Sequence, residues 1–412
     1  MREPAPAEAL GSSLAGISER RLLVALALVQ FVNVLDFMMV MPLGPDFVQA
    51  LGIPSSRLGL VAGSYTASAA VSGLVGMLFL DRFDRKKALV VALTGLAFGT
   101  LAGGLATGLG SLMVARVLAG AFGGPATALG LAIIADVIPP ARRGQALGAV
   151  MGAFSVASVL GVPAGLELAR LGGWRVPFFA VGGLCGAVAL GTALSLPSLT
   201  LHLRAAERSP PAGALDVIRR PVVLIAMGAS WVTMLSVFMI VPNITSYLQF
   251  NLGYPRAQLG MLYLVGGVLS FFTMRVAGRV ADRFGTSLVV TFGTFLFIVA
   301  TITGFVFPHA LLPIMVVFTL FMISGSFRMV PMNALATRVP RATERARYMS
   351  IQSTVQHIGA AMGAAGSTYL LVEQPGGRLA GMRNVALGSI ALALLLPLLI
   401  GAVERRVRAA AG

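Results

Sequence analysis

Residues 75–87 read VGMLFLDRFDRKK, an apolar run that ends in a cluster of acidic and basic side chains. The tripeptide DRF within this run, at 81–83, returns at 282–284, which is 201 residues further along the chain. The stretches IPSSRLGL at 53–60 and YPRAQLGM at 254–261 are related by the same offset. Repetition at one fixed spacing indicates that the chain consists of two copies of one structural unit.

The composition is that of an integral membrane protein. Of the 412 residues, 57% are hydrophobic and 11% are charged, whereas a soluble domain carries about 25% charged residues. Apolar stretches of about 20 residues recur from Arg21 to Val403, and a helix of that length crosses the hydrocarbon core of a bilayer. A soluble enzyme with a single membrane anchor is excluded, because the low charge extends over the whole length.

Twelve apolar segments can be placed, so the sequence predicts an all-α membrane protein of twelve transmembrane helices in two pseudo-symmetric six-helix bundles. The predicted spans are 22–45, 57–80, 88–108, 111–137, 144–169, 175–197, 221–249, 257–280, 286–307, 310–337, 346–372 and 382–403. The corresponding regions are a disordered tail at 1–20, an N-terminal bundle at 21–197, a polar linker at 198–220, a C-terminal bundle at 221–403 and a second tail at 404–412. Repeats of equal orientation are typical of two-bundle transporters, whose substrate site lies between the halves.

The basic residues indicate the orientation in the membrane. Of the 31 Lys and Arg, 22 lie in the tails, the linker and alternate loops on one side, six lie in the opposite loops and three lie within spans. The positive-inside rule places both termini and the linker in the cytoplasm. The net charge of +16 does not indicate nucleic-acid binding, because the basic residues form short clusters between apolar runs rather than a patch with interleaved aromatic rings.

No cofactor or metal site is predicted. The single cysteine, Cys185, lies in an apolar run and is expected to be a packing thiol, and no metal-ligand spacing occurs. The pattern G-x-x-x-x-G-K-[ST] of ATP-binding loops is absent. We therefore expect a protein that is not an enzyme and is not driven by ATP.

The charged cluster at 75–87 resembles the loop pattern G-x-L-A-D-R-x-G-R-[RK]-[RK] of the major facilitator superfamily. Its charged positions are held by Asp81, Arg82, Arg85, Lys86 and Lys87, while Met77 and Asp84 replace its two glycines. The second copy, GRVADRFG, keeps Gly278, Asp282, Arg283 and Gly285. We expect the two aspartates that end these spans, Asp81 and Asp282, to form charge and helix-end contacts that close the cytoplasmic side.

Two further stretches resemble the twelve-span drug:proton antiporter branch of that superfamily, which includes arabinose-efflux-like permeases. LMVARVLAGAFGG at 112–124 contains an intramembrane arginine, Arg116, followed by small residues. ASVLGVPAG at 157–165 is similar to the antiporter motif of span five, although one residue separates its glycine from its proline and a final glycine is absent. The matching positions are Gly161, Pro163 and Gly165.

Asp36 is the one acidic residue near the middle of any predicted span. A carboxylate at that depth costs about 2.5–3.5 kcal/mol on insertion scales, and such residues usually mark ion or proton paths. Arg116 lies at a height from which it can reach Asp36, and the resemblance to the antiporters also implies this pair, to which we assign proton coupling. The alternatives are a structural carboxylate and an arginine that extends to the outer surface. Gln30 and Asn33 continue the polar face of Asp36 and are assigned to the substrate cavity.

Polar residues of the second half complete the predicted cavity. Span eleven carries SIQSTVQH at 350–357, whose polar side chains recur at helical spacing and form one stripe. A polar stripe on a membrane helix is expected to face an aqueous cavity, although a hydrogen-bonded core histidine is an alternative reading of His357. The predicted lining residues of this half are Asn243, Arg328, Ser353, Thr354 and His357.

These features predict a monomeric secondary transporter of the bacterial cytoplasmic (inner) membrane that exports a small organic or amphiphilic molecule in exchange for protons, by alternating access. If Asp36 pairs with Arg116, then Arg328 lacks a carboxylate at its depth, so the charge balance favours an anionic or zwitterionic substrate over a lipophilic cation. A proton symporter or facilitator for nutrient uptake and a lysolipid transporter of the same fold remain as alternatives.

Overall fold

The structure is a computed structural model that describes residues 18–200, 203, 219–308, 312–340 and 345–409. Most of the predicted N-terminal tail and most of the predicted linker therefore lie outside the described residues. The described part is almost entirely helical, apart from one two-stranded hairpin.

The helices of the first half follow the predicted spans closely. They are α1 (Glu19–Met39), α2 (Gly44–Leu51), α3 (Leu58–Phe79), α4 (Arg85–Gly104), α5 (Leu109–Val137), α6 (Pro140–Val156), α7 (Val162–Gly172) and α8 (Arg175–Ser195). A 3₁₀ turn separates α1 from α2, because Pro42 and Pro45 lack N–H groups that a continuous α-helix would use there. A π turn at Ala157–Gly161 joins α6 to α7, two residues before the next proline, Pro163.

The second half repeats this order. Its elements are α9 (Pro221–Ile240), α10 (Leu259–Phe284), α11 (Thr286–Thr301), α12 (Ile314–Ala336), α13 (Arg345–Leu370), β1 (Val372–Gln374), β2 (Arg378–Ala380), α14 (Met382–Ala393) and α15 (Leu395–Ala409). The 3₁₀ turn after α9, Val241–Asn243, stands 200 residues after its counterpart Met41–Leu43. The internal repeat of the sequence is therefore a repeat of structure.

Ten helices in the described part are long and apolar enough to cross a membrane. They coincide with ten of the twelve predicted spans. The other two predicted spans, the fifth and the eleventh, are helical as well, as α6 with α7 and as α13. The prediction of an all-helical, multi-pass chain is confirmed, and the count of twelve spans stays a prediction.

Within each half the helices pack side by side. In the N-terminal bundle α5 packs against α3 and α4, α4 packs against α8, and α1 packs against α6 and α8. In the C-terminal bundle α12 packs against α10 and α11, and α9 packs against α13, α14 and α15. Between the halves, α3 lies along α13 while α7 and the π turn before it lie along α10. We call this boundary between the two bundles the seam.

Charged residues of alternate connections gather at one end of the bundles. Arg85, at the start of α4, pairs with Asp136 at the end of α5 (3.2 Å). Glu404 of α15 accepts hydrogen bonds from the backbone N–H groups of Thr286 and Ser287, at the start of α11 (3.1 and 2.7 Å). We call this end the basic end, because the clustered arginines of the sequence lie there, and the other end the opposite end.

At the opposite end, polar contacts join the two bundles across the seam. Arg256, just before α10, forms an ion pair with Asp46 of α2 (2.8 Å). Glu373 of β1 accepts a hydrogen bond from the backbone N–H of Ser55 (3.0 Å). The hairpin that carries Glu373 is held to the C-terminal bundle by Asn251, which makes two hydrogen bonds to the backbone of β2 (2.9 and 2.8 Å).

Glycines allow the helices to approach closely along the seam. A Cβ atom on Gly59 of α3 would collide with the carbonyl oxygen of Ala364 in α13, and one on Gly267 of α10 would lie 3.2 Å from the backbone of Ser158. Both polar contacts between the bundles for which the structure describes both partners lie at the opposite end. The structure is therefore closed at that end.

Arg256→Gln removes the ion pair with Asp46, and we expect it to shift the population towards a state that is open at the opposite end. Both side chains are partly exposed, so the change is worth roughly 1 kcal/mol or less. The measurement is the distance distribution between spin labels on α2 and on the hairpin. Arg170→Gln is the matched control, because Arg170 pairs with Glu167 within one bundle. Unchanged distances in the Arg256 variant, or an equal change in the control, would contradict the prediction.

Candidate functional site

One ion pair is fully enclosed in the N-terminal bundle. Asp36 of α1 is 0% exposed and Arg116 of α5 is 1% exposed, whereas every other described ion pair has at least one partner that is partly exposed. Two parallel hydrogen bonds join them, from Nη1 to Oδ1 (3.0 Å) and from Nη2 to Oδ2 (3.1 Å). Bidentate pairing of this kind is stronger and more directional than a single contact. The structure thus brings together the two residues to which the sequence assigns proton coupling.

A hydroxyl group beside the pair can serve both protonation states of Asp36. The Thr100 oxygen of α4 lies 2.7 Å from Asp36 Oδ1 and 2.8 Å from the carbonyl oxygen of Leu96. When Asp36 is ionised, Thr100 can donate its proton to the carboxylate. When Asp36 is protonated, Thr100 can accept from it and donate to Leu96 instead. The site therefore offers a hydrogen bond to either form of the acid.

Tyr65 of α3 connects the ion pair to a second polar group. Its ring lies over the Arg116 guanidinium, 4.5 Å from the ring centre to the central carbon. Its hydroxyl donates to Asn33 Oδ1 (2.9 Å), and Asn33 in turn donates to the carbonyl of Gly123 (2.7 Å) and to Thr127 Oγ1 (2.8 Å). Asn33, predicted to line the cavity, is thus buried and hydrogen-bonded within the N-terminal bundle in this conformation.

Thr100 and Tyr65 are absent from the residues predicted for the site. No sequence motif around either residue indicates a role at the site. Each lies on a different helix from Asp36 and Arg116, so only the packing of the helices brings it to the pair. The available signal was the run of small residues after Arg116. A Cβ atom on Gly120 would collide with the carbonyl oxygen of Tyr65, and one on Gly123 with its hydroxyl, so these glycines are required for α3 to approach.

An aromatic contact links this site to the other bundle. Phe37, the residue after Asp36, lies 5.2 Å from the ring of Tyr65 and 5.9 Å from the ring of Phe238 in α9, measured between ring centres. Aromatic rings at such distances attract one another beyond the burial of their area. A continuous set of contacts therefore runs from the ion pair through Tyr65 and Phe37 to the seam.

Arg328 of α12 lies inside the C-terminal bundle. It is 0% exposed, its Nη2 donates to the Ser236 hydroxyl of α9 (3.0 Å), and its guanidinium lies 4.4 Å from the ring centre of Phe297 in α11. These neighbours all belong to the C-terminal bundle. The expected contact between Arg328 and a substrate between the bundles is not present in this conformation.

The polar stripe of α13 lies along the seam. Thr354 is buried opposite Gly73 of α3, where its hydroxyl is 3.5 Å from the position of a Cβ atom. His357 is partly exposed, and its Nδ1 lies 2.8 Å from the carbonyl oxygen of Ser353, which is also partly exposed. Seven residues after Thr354, and so on the same face, the carbonyl of Ala361 approaches α3 again.

The other predicted cavity residues lie on the first helix of the N-terminal half and in the turn after the first helix of the C-terminal half. Gln30 of α1 is partly exposed. Asn243, in the turn after α9, is fully buried and donates to Ser367 Oγ of α13 (3.0 Å) and to the carbonyl of Met239 (3.3 Å). Asn243 therefore joins two helices of the C-terminal bundle.

The predicted antiporter motif lies where three helices meet. Gly161 ends the π turn, and a Cβ atom there would lie 2.5 Å from the Leu35 side chain of α1. Gly165 lies against Met39, further along the same helix, and Pro163 is partly exposed. Because the π turn also packs against α10 of the other bundle, the motif lies between the helix that carries Asp36 and the seam.

The predicted gating residues lie at the basic end. The side chain of Asp81 lies outside the described residues, while Arg82, Asp282 and Arg283 are exposed. Gly285 has a φ of 92°, which favours glycine, and Gly278 lies within α10. Arg85 is buried and bonds Asp136 within its own bundle. The expectation that these residues close the basic end stays a prediction, since the structure is closed at the opposite end.

Asp84, which replaces a glycine of the loop pattern, caps α4 and holds the first residues of the inter-bundle connection. Its carboxylate accepts hydrogen bonds from the Lys86 N–H (2.9 Å), the Leu199 N–H (3.0 Å) and the Ser198 hydroxyl (2.5 Å). Partial burial alone would raise the pKa of Asp84, but these hydrogen bonds outweigh it and hold the pKa below its usual value. Asp84 is therefore ionised at neutral pH, and its charge fixes residues 198–199 to the start of α4.

The enclosed pair is suited to carrying a proton rather than to binding a metal. Among the described residues no group of three or more His, Cys, Asp or Glu side chains could hold a metal ion. The Asp36 carboxylate is held by one guanidinium and one hydroxyl, so protonation would remove its charge and weaken its attachment to Arg116. Uptake of one proton by Asp36 would therefore weaken the contact between α1 and α5.

Asp36→Asn and Arg116→Gln should each lower the free energy of unfolding by about 3–5 kcal/mol, because each leaves a buried charge without its partner. The double variant should lose less than the sum of the two, because it leaves no uncompensated charge. Thermal unfolding of the purified protein in detergent measures all three, with Glu167→Gln as the control at an exposed pair. Additive losses would contradict the prediction.

Comparison with known proteins agrees with this architecture. The sequence model of the Major Facilitator Superfamily matches residues 26–364 and 226–411. A chloramphenicol resistance protein of Streptomyces lividans is 25% identical over 327 residues, which are 77% of this chain and 81% of the relative. A chloramphenicol efflux pump of Mycobacterium tuberculosis is 25% identical over 242 residues, which are 57% of this chain and 56% of the pump.

A solved structure has the same fold over nearly the whole length. The inward-facing, unoccupied crystal structure of a bacterial homologue of the human lysosomal transporter Spinster superposes with a TM-score of 0.73 at 17% identity, covering 94% of this chain and 98% of that one. The family match covers most of the sequence, and it agrees with the two bundles and the multiple apolar helices of the structure. The chain belongs to the major facilitator superfamily and is a multi-pass membrane transporter.

Proposed function

We propose that the protein is a proton-coupled efflux transporter that exports a small organic molecule by alternating access. The observation that carries the proposal is the Asp36–Arg116 pair, which is enclosed, bidentate and adjacent to a residue that contacts the other bundle. Burying an ionisable acid in a membrane protein costs free energy, and such residues usually lie on ion or proton paths. The protein acts as a monomer of twelve spans in the bacterial cytoplasmic membrane, with its basic end and both termini in the cytoplasm.

Protonation of Asp36 is the coupling step. It neutralises the carboxylate, and Thr100 can then accept its proton in a hydrogen bond. Arg116 loses its ion pair but keeps the face of the Tyr65 ring, so its charge remains partly compensated. Tyr65 also contacts Phe37, which reaches Phe238 across the seam, so a change at the pair alters a contact between the two bundles. Release of the proton restores the ion pair and the original packing.

Export is favoured over import by two observations. The span-five stretch with Gly161, Pro163 and Gly165 is similar to the antiporter motif and forms the irregular part of a helix at the seam. One relative that matches more than half of this chain is a chloramphenicol efflux pump. Nutrient symport and lysolipid transport remain alternative functions of the same fold.

The substrate is proposed to be a neutral, partly aromatic amphiphile of the chloramphenicol class. The seam beside the ion pair presents the aromatic rings of Phe37 and Phe238, and Arg328 is enclosed within one bundle. The premise for an anionic substrate, a free cation facing the space between the bundles, is therefore missing. Apolar and aromatic surface with a few hydrogen-bonding groups suits an uncharged ligand.

Asp36→Asn should abolish substrate export driven by a pH gradient, because an amide cannot take up and release the coupling proton. The measurement is flux in proteoliposomes with an imposed pH gradient, which should fall to the level of protein-free vesicles. Exchange of labelled for unlabelled substrate without a gradient should persist, since it needs no net proton transfer. Glu167→Gln is the control at an exposed carboxylate of the same bundle. Gradient-driven export at the wild-type rate in the Asp36 variant would refute the coupling role.

Phe238→Ala should weaken binding of chloramphenicol, because it removes half of the aromatic contact at the seam, at an expected loss of roughly tenfold or less in affinity. Thermal-shift titration of the purified protein measures binding, with Phe295→Ala as the control at an exposed phenylalanine of α11. A monovalent cationic dye and an organic carboxylate serve as comparison ligands. Tight binding of the cationic dye alone would show that the substrate class is wrong.

A further inference from the structure

Arg328 is a buried cation with no buried anion beside it in the described part of the chain. Its side chain is fully enclosed, and Nη2 donates to the Ser236 hydroxyl (3.0 Å). Within the described residues, Nε and Nη1 have no hydrogen-bond acceptor, and no carboxylate lies within 4.0 Å of the guanidinium. The Ser236 hydroxyl satisfies one donor but supplies no charge, and the Phe297 ring compensates the guanidinium only in part, so most of its charge has no partner among the described residues.

The internal repeat shows what the C-terminal bundle lacks. Ser236 stands 200 residues after Asp36, which is also the offset between the prolines that follow them, Pro42 and Pro242. In the N-terminal bundle Arg116 of α5 bonds Asp36 on the first helix, α1. In the C-terminal bundle Arg328 of α12 bonds Ser236 at the corresponding position of the first helix, α9. The N-terminal bundle supplies a carboxylate to its arginine, whereas the described residues of the C-terminal bundle supply a hydroxyl and no carboxylate.

The helix that packs against Arg328, α11, carries two buried threonine hydroxyls on the face that contacts the arginine. Phe297 covers one face of the guanidinium, and Thr294 and Thr301, at helical spacing before and after it, lie on the same face of the helix. The hydroxyls of both threonines are buried and have no partner among the described residues. Gly293 allows the arginine to lie this close, since a Cβ atom there would be 3.0 Å from Arg328 Cγ.

Thr301 strengthens the parallel with the N-terminal site. It stands 201 residues after Thr100, which donates to the Asp36 carboxylate. A hydroxyl that serves a carboxylate in one bundle therefore has a counterpart without a partner in the other. The Ser236 hydroxyl already donates to the carbonyl of Thr233 (3.0 Å), so the donors left for an anion are the Arg328 nitrogens Nε and Nη1 and the unpaired threonine hydroxyl.

We propose that the C-terminal bundle binds one small monovalent inorganic anion of the halide class at Arg328, in the place that the Asp36 carboxylate holds in the N-terminal bundle. One negative charge matches the single positive charge of the guanidinium. The anion is small because the site is enclosed by α9, α11 and α12, which leaves the carboxylate of an organic substrate no route to it in this conformation. The inference does not rest on proton coupling at Asp36.

The test is the melting temperature of the purified protein in chloride, bromide or nitrate, with gluconate as the replacement anion at constant ionic strength and pH. We expect a saturable rise of about 2 °C or more in the binding anions, because a ligand that binds only the folded state stabilises it. Sulfate separates binding from general salt effects. A general salt effect would make sulfate the more strongly stabilising anion, because sulfate is excluded from protein surfaces. Binding of a small monovalent anion should instead make chloride the more strongly stabilising one. Acetate and formate test whether a carboxylate is the true ligand.

Two variants locate the effect. Arg328→Gln should lose the halide response, while Arg275→Gln, which removes an exposed arginine that also lies on a phenylalanine ring (4.0 Å), should keep it. Ser236→Asp places a carboxylate beside the guanidinium, so it should give a folded protein whose melting temperature no longer depends on halide. If Arg328→Gln does not fold, Ser236→Asp decides the question by itself.

The proposal is overturned by any of three results. These are an equal melting temperature in chloride and gluconate, a halide response that persists in Arg328→Gln or Ser236→Asp, and stabilisation by acetate or formate without stabilisation by halides. Because none of these measurements involves a proton gradient, failure here leaves the proposed coupling role of Asp36 untouched, and the reverse also holds.

Discussion

A charge inside a lipid-embedded bundle must be matched by an opposite charge, and the N-terminal bundle is arranged around one such match. Asp36 and Arg116 come from different helices and are enclosed by a third and a fourth, so their pairing fixes how α1, α3, α4 and α5 lie together. The glycines of α5 bring the Tyr65 helix close enough to cover the guanidinium. A pair this enclosed is strong only while both members are charged, and a single proton therefore has a large effect on it.

The position of this pair within the fold connects it to the other bundle. Phe37 follows Asp36 directly in the chain, so the backbone that holds the acid also holds a ring that touches the other bundle. The π turn before the second half of the fifth span lies against both α1 and α10. Polar contacts at the opposite end hold the bundles together, near the close approach of Gly59 to Ala364. The proposed proton site and the seam therefore involve the same few helices.

The two bundles share a fold but differ in their electrostatics. Pro42 and Pro242 end the first helix of each half in the same way, which shows that the backbone repeat is retained. At equivalent positions of these two helices, one half has the acid Asp36 and the other has Ser236, while each half keeps a buried arginine beside that position. Within the described residues only the N-terminal bundle places a carboxylate beside such an arginine, so the coupling chemistry that we propose belongs to that half and the anion site that we propose belongs to the other.

The sequence by itself determined the helical membrane class, the two repeated halves and the pairing candidate Asp36–Arg116. These follow from hydropathy, from the 201-residue offset and from the cost of burying a lone acid, all of which are local or periodic properties of the chain. Only the tertiary structure decided that Thr100 and Tyr65 join the pair, that Asn33 is bonded within its bundle and that Arg328 is enclosed rather than facing the seam. Each of these depends on which face of a helix meets which neighbour. An apolar helix in a bilayer carries little amphipathic pattern to reveal that face, because lipid and protein interior are almost equally apolar.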